Sequence, residues 1–97
     1  MATFVTLFKF TEQGIKNVSQ TTKRAEAFRE MAKKMGVTVT DIYWTLGRYD
    51  AVAIYEAPND ETATRLMFTL GSLGNLRTET LRAYNAEEMG QILKGIK

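Results

Sequence analysis

The chain has 97 residues, 44% hydrophobic and 25% charged, with a net charge of +2. Those are the proportions of one soluble globular domain, spanning 1–97, with one modest core. It has no cysteine and no histidine. That excludes disulfides, thiol nucleophiles, Cys or His metal ligands and any Ser-His-Asp arrangement, and neither a metal nor a cofactor is expected.

Thr3 to Phe10 is dense in Thr, Phe, Val and Leu and forms the first expected strand. It has no basic leader ahead of it, so it does not resemble a signal peptide. Thr11 to Gly14 makes a turn or a single helical turn. A helix follows from about Thr22 to Met35, where Ala25, Phe28, Ala32 and Met35 recur at spacings of three and four. Its Lys23, Arg24, Lys33 and Lys34 are interspersed with Glu26 and Glu30. That pattern suits a solvated helix face better than a phosphate or nucleic-acid patch. Gly36 closes the helix.

Val37 to Leu46 is the second expected strand and Tyr49 to Glu56 the third. Between them Gly47-Arg48 suits a two-residue type II′ hairpin, with Gly in the position that needs positive φ. That turn pairs Leu46 with Tyr49, Trp44 with Ala51 and Ile42 with Ala53. The stretch "APNDE" (57–61) stops the strand and caps a second helix at Asn59 or Asp60. Ala63, Leu66, Met67 and Leu70 give that helix a buried stripe. A fourth strand, "LRTETLRAY" (76–84), precedes a short terminal helix with Asn85 and Glu88 as a capping box and Met89, Ile92, Leu93 and Ile96 as its stripe.

The order β-α-β-β-α-β plus a terminal helix predicts an α+β, ferredoxin-like fold. Its sheet is four-stranded and antiparallel, with both helices on one face. Alternation splits the strands into two sets. The aliphatic set, Val5, Leu7, Val52, Ile54, Leu81 and Ala83, is assigned to the helices. The other set, Phe4, Thr6, Phe8, Ile42, Trp44, Ala51, Ala53, Tyr55, Thr78, Thr80, Arg82 and Tyr84, is assigned to the open face. An aromatic side chain buries roughly 150–250 Å². Half-covered, the aromatics of that set leave about 500 Å² of apolar surface, near the limit for a monomer. A second copy is the expected cover, since a two-fold interface uses one patch twice; the terminal helix folding back is the alternative. Trp44→Ala is then expected to loosen the oligomer.

The polar members of that face are expected to meet solvent or a rim ion pair if the fourth strand is an edge; the sharper expectation is a pocket between sheet and partner. Its walls are apolar, and Arg82 with the hydroxyls of Thr6, Thr78 and Thr80 would hold an anionic or carbonyl-bearing ligand. Trp44 is a candidate stacking platform, though interface packing is the plainer expectation. Tyr49, Asp50 and Arg77 are further candidates, in a polar cluster by the hairpin. For Asp50 a bond to turn amides or to an Arg is the plainer expectation, and for Tyr49 packing.

The stretches "GRYD" (47–50), "GSLGNLRTETLRAY" (71–84), "YEAPNDE" (55–61), "GNLRTETLRAYNAEEM" (74–89) and "FTEQGIKNV" (10–18) resemble the GYD domain proteins of bacteria, with Gly47, Tyr49 and Asp50 in the place of the name letters. The resemblance covers nearly the whole chain. It implies a ferredoxin-like fold of the dimeric α+β barrel type, and no particular reaction. The expectation is therefore a cytoplasmic homo-oligomer, at least a dimer, that binds a small molecule or serves a structural role, without nucleic-acid or membrane partners. Two alternatives stand beside it. One is a cofactor-independent enzyme, monooxygenase- or isomerase-like, polarising an aromatic or carbonyl substrate through Asp, Tyr or Arg. The other is a ligand-sensing regulatory module.

Overall fold

A computed structural model describes residues 1–96. In chain order it contains β1 (Ala2–Phe10), α1 (Glu12–Lys16), a 3₁₀ turn at Val18–Gln20, α2 (Thr21–Lys34), β2 (Thr38–Trp44), β3 (Ala51–Ala57), α3 (Asp60–Gly71), β4 (Leu76–Ala83) and α4 (Ala86–Leu93). The strands lie in the order β2-β3-β1-β4, and every neighbouring pair is antiparallel. Phe28 and Ala32 of α2 join Ala63, Leu66, Met67 and Leu70 of α3 in one core with the sheet residues Phe4, Phe8, Ala51, Ala53, Tyr55 and Ala57. Both helices therefore cover the same side, as the ferredoxin-like pattern requires. Asn59 caps α3 by accepting from the Thr62 amide, and Asn85 with Glu88 closes a full capping box at α4.

The assignment of faces is the reverse of the expectation. Phe4, Thr6, Phe8, Ala51, Ala53 and Tyr55 are buried beneath the helices, and Trp44, Thr78, Thr80 and Arg82 share their side through the register. Helices need room over a sheet. The alternating Ala51, Ala53 and Ala57 of β3 provide it, while Phe4, Phe8 and Tyr55 fill the remaining space. The open face instead carries Val5, Leu7, Val52, Ile54 and Leu81.

Trp44↔Ala51 and Ile42↔Ala53 pair as expected, but the ladder ends at Trp44. Leu46 and Tyr49 are not a strand pair. The Thr45 amide donates to Asp50 O at 2.9 Å and Thr45 Oγ1 donates to Tyr49 O at 2.6 Å, closing a wider loop. Gly47 still has a positive φ of 129°. Gly47→Val is expected to cost about 1–3 kcal/mol through backbone strain alone, since open space surrounds it; a melting temperature equal to wild type would contradict this. A bulge between Val39 and Asp41 lets Val39 and Ile42 both pack on the core, although an unbroken strand would put them on opposite faces.

The terminal helix does not fold back. Met89, Ile92, Leu93 and Ile96 are all exposed, and the molecule measures 51 Å along its longest axis against 18 Å along its shortest.

Candidate functional site

The centre of the covered face is a hydroxyl network. Thr6 Oγ1 lies 2.9 Å from Tyr55 Oη, 2.9 Å from Thr80 Oγ1 and 3.6 Å from Met67 Sδ. One hydroxyl has one proton, so Tyr55 or Thr80 must donate to Thr6. Thr6 and Tyr55 are fully buried, and the three hydroxyls satisfy one another, as buried polar groups must. Burial pushes the Tyr55 phenol above its ordinary 10.0, partly offset by its bonds to Thr6 and Thr80. The phenol is therefore neutral at physiological pH and out of reach of a substrate, which leaves the network a structural part.

That shift sets a pH dependence. The unfolded chain loses this proton first as pH rises, so the contribution of Tyr55 is complete below pH 10.0 and is lost as pH climbs through the raised folded value. Tyr55→Phe is expected to cost about 1–2 kcal/mol at pH 8 and to flatten this alkaline loss. Denaturant unfolding of both proteins at pH 8 and above 10 checks it, and identical alkaline slopes would contradict it.

Arg82 sits at the β4 edge and is exposed on the helix-covered side of the sheet. Its guanidinium stacks over the Tyr84 ring at 4.5 Å and the Phe4 ring at 5.6 Å, and it donates to the carbonyls of Thr3 and Ala83. Thr78, Thr80 and Arg82 line an open groove beneath α3, together with Met67 and Phe68.

Asp50 bonds to backbone. Its Oδ2 accepts the Phe10 amide at 2.8 Å, and its own amide donates to Phe8 O at 2.8 Å. This fastens the β2–β3 loop to β1 through the amide of a strand residue, where the expectation is turn amides or an Arg. Asp50 does not line the cavities beneath α2 and α3, so the enzyme alternative loses its favoured carboxylate. Tyr49 reaches across to Glu79, with Oη 3.4 Å from both carboxylate oxygens. Arg77 is exposed and pairs with Lys9 across the β1–β4 ladder.

The eight candidates thus do not form one site. Thr6, Thr78, Thr80 and Arg82 run from the core to the β4 edge, Trp44 stands at the opposite edge, and Tyr49, Asp50 and Arg77 surround the hairpin end. None of the first five faces a seam between sheets. Trp44 packs towards α2, with Nε1 donating to Thr21 Oγ1 at 3.0 Å, so the expectation that Trp44→Ala loosens an oligomer through the open face is withdrawn.

Two other features emerge. Beneath α2 is a cavity of about 140 Å³ lined by Phe8, Phe28, Ile42, Trp44 and Ala53, with Arg24 on its border. The second feature is the open face itself. Its two central rows are Tyr43–Val52–Leu7–Glu79 and Asp41–Ile54–Val5–Leu81, flanked by Glu56 and Thr3 at one end and Lys9 and Arg77 at the other. An aliphatic centre with a polar rim is the anatomy of a protein interface. Among the described residues no cluster of three or more Asp, Glu, His or Cys is placed to hold a metal ion, and no helix is long and apolar enough to cross a membrane.

Comparison with known proteins agrees with this architecture. A protein of Thermus thermophilus named "Glutamine synthetase and cystathionine beta-lyase binding protein" is 34% identical over 95 residues, spanning 97% of this chain and 100% of that one. A crystal structure of a Thermus thermophilus protein superposes with a TM-score of 0.58 at 26% identity, covering 89% of this chain and 96% of the other. An ACT domain protein of Streptococcus pneumoniae is a more distant likeness, with a TM-score of 0.47 at 17% identity over 86% of this chain and 90% of its own. The GYD domain profile matches residues 4–93, and with that match over nearly its whole length the chain belongs to the GYD domain family.

Proposed function

We propose that this protein is a small cytoplasmic binding protein that works as a homodimer. Two copies close their open sheet faces into a dimeric α+β barrel, and the dimer docks on partner enzymes to regulate them. The observation that carries this reading is the uncovered aliphatic centre formed by Val5, Leu7, Val52, Ile54 and Leu81. At ordinary strand spacing and rise, four strands of seven residues project roughly 450 Å². Side-chain relief and the bare α4 stripe bring that towards the ~800 Å² per partner of a stable interface. The α4 helix and the turn after it, with Met89, Ile92, Leu93 and Ile96 exposed, suit a clasp laid over the second copy.

Docking on enzymes is supported by the name of the Thermus relative. It is also consistent with the chemistry: the buried phenol is neutral, Asp50 is occupied by backbone, and no histidine is present. The test is titration of the purified protein against immobilised glutamine synthetase and cystathionine β-lyase. Saturable binding to either is expected, and no binding to both would contradict the docking role.

A further inference from the structure

We infer that the cavity beneath α2 is a binding site for a compact aromatic monocarboxylate, with the ring inside and the carboxylate on Arg24. The site lies on the opposite side of the sheet from the proposed dimer interface and stands independently of it.

The cavity follows from side-chain size. Ala51 and Ala53 of β3 and Ala25 of α2 meet where larger residues would close the space, while Phe8, Phe28 and Trp44 wall it. Phe8 and Phe28 are edge to face, 6.1 Å apart with planes at 76°, which fixes those walls. Its volume of about 140 Å³ is close to that of an engineered apolar cavity of about 150 Å³ that takes up benzene. A six-membered ring therefore fits.

The border of the cavity supplies the polarity. Arg24 donates from Nη1 to Asn17 O at 3.0 Å and from Nη2 to Gly14 O at 3.2 Å. Both acceptors are neutral carbonyls, so they leave the guanidinium charge uncompensated, and two bonds leave three of its five N–H donors. A carboxylate is the ligand group that a planar fork of this kind pairs with best. Asn75 and Thr21 share the lining, and the Trp44–Thr21 hydrogen bond joins the β2 edge to α2. Apolar walls with a few convergent polar groups are the usual make-up of a small-molecule site.

Benzoate is the probe, with benzyl alcohol as its neutral counterpart. Trp44 is the one tryptophan, so its fluorescence reports on the cavity wall, and amide chemical shifts locate the ligand. Benzoate is expected to change Trp44 emission saturably and to shift amides of Ala25, Phe28 and Ala53. Arg24→Gln should weaken benzoate about tenfold and leave benzyl alcohol unchanged. Ala25→Leu, placed on the half-buried side of α2, should abolish both. Shifts confined to other parts of the surface, equal weakening of both probes by Arg24→Gln, or full binding by a folded Ala25→Leu protein would overturn the proposal.

Discussion

Leu81→Asp is expected to convert the proposed dimer into a folded monomer. Leu81 is 48% exposed in the single chain and lies on an edge strand, so the isolated fold tolerates a carboxylate there at small cost. Within a face-to-face interface the same carboxylate is desolvated beside Val5, its partner across the β1–β4 ladder. An unpaired buried charge costs roughly 3 kcal/mol or more, or at least a ~100-fold weaker dimer. Leu7→Asp, in the other central row, should act in the same direction with a larger cost to the fold, because β1 lies between two strands. Trp44→Ala, on the helix side, should leave the dimer intact. Sedimentation with circular dichroism separates loss of association from loss of folding. A Leu81→Asp protein that still sediments as a dimer would place the interface elsewhere.

The largest loss of stability is expected from Gly14→Ala. A Cβ at Gly14 falls 2.0 Å from the carbonyl oxygen of Asn75, well inside contact distance, and the obstacle is backbone. Relief requires α1 to part from the 73–75 segment. That segment is held by the Thr11 amide on Asn75 O at 3.1 Å, by Thr11 Oγ1 on Gly74 O at 2.5 Å, and by Gln13 Nε2 on Leu73 O and Asn75 Oδ1 at 3.1 and 3.0 Å. Overpacking with loss of some of these bonds costs about 3 kcal/mol, or more than roughly 10 °C in melting temperature for a domain of this size. Gly71→Ala is the control, since nothing lies within 4 Å of its added Cβ and it sits in α3, where Ala is the better helix former. Equal melting temperatures for the two variants would contradict the account.

These two positions show what the sequence discloses. The strands, the two packed helices, the helix caps and the pairings Trp44↔Ala51 and Ile42↔Ala53 follow from periodicity and turn chemistry. The choice of faces does not follow, because both sides of every strand carry apolar residues and a period of two is blind to which side is covered. The one available signal was the Ala51–Ala53–Ala57 series, since small residues mark where a helix approaches a sheet closely. The bulge at Thr40 has no signature in the residue pattern, and the reach of Tyr49 to Glu79 depends on a loop wider than the expected hairpin. The bond of Asp50 to the Phe10 amide of β1 joins residues 40 apart and is not visible in the local sequence. Arg24 was not legible as a cavity residue, because a lysine- and arginine-bearing helix face looks the same whether or not one member lines an apolar cavity. The clash at Gly14 is equally hidden, since it depends on a segment 61 residues further along the chain.

The proposed interface on the open sheet face is tested most directly by sedimentation velocity of the unmodified protein at low micromolar concentration. A single species at twice the chain mass, reduced to the chain mass by Leu81→Asp, is the expected result. A monomer at every concentration would contradict it.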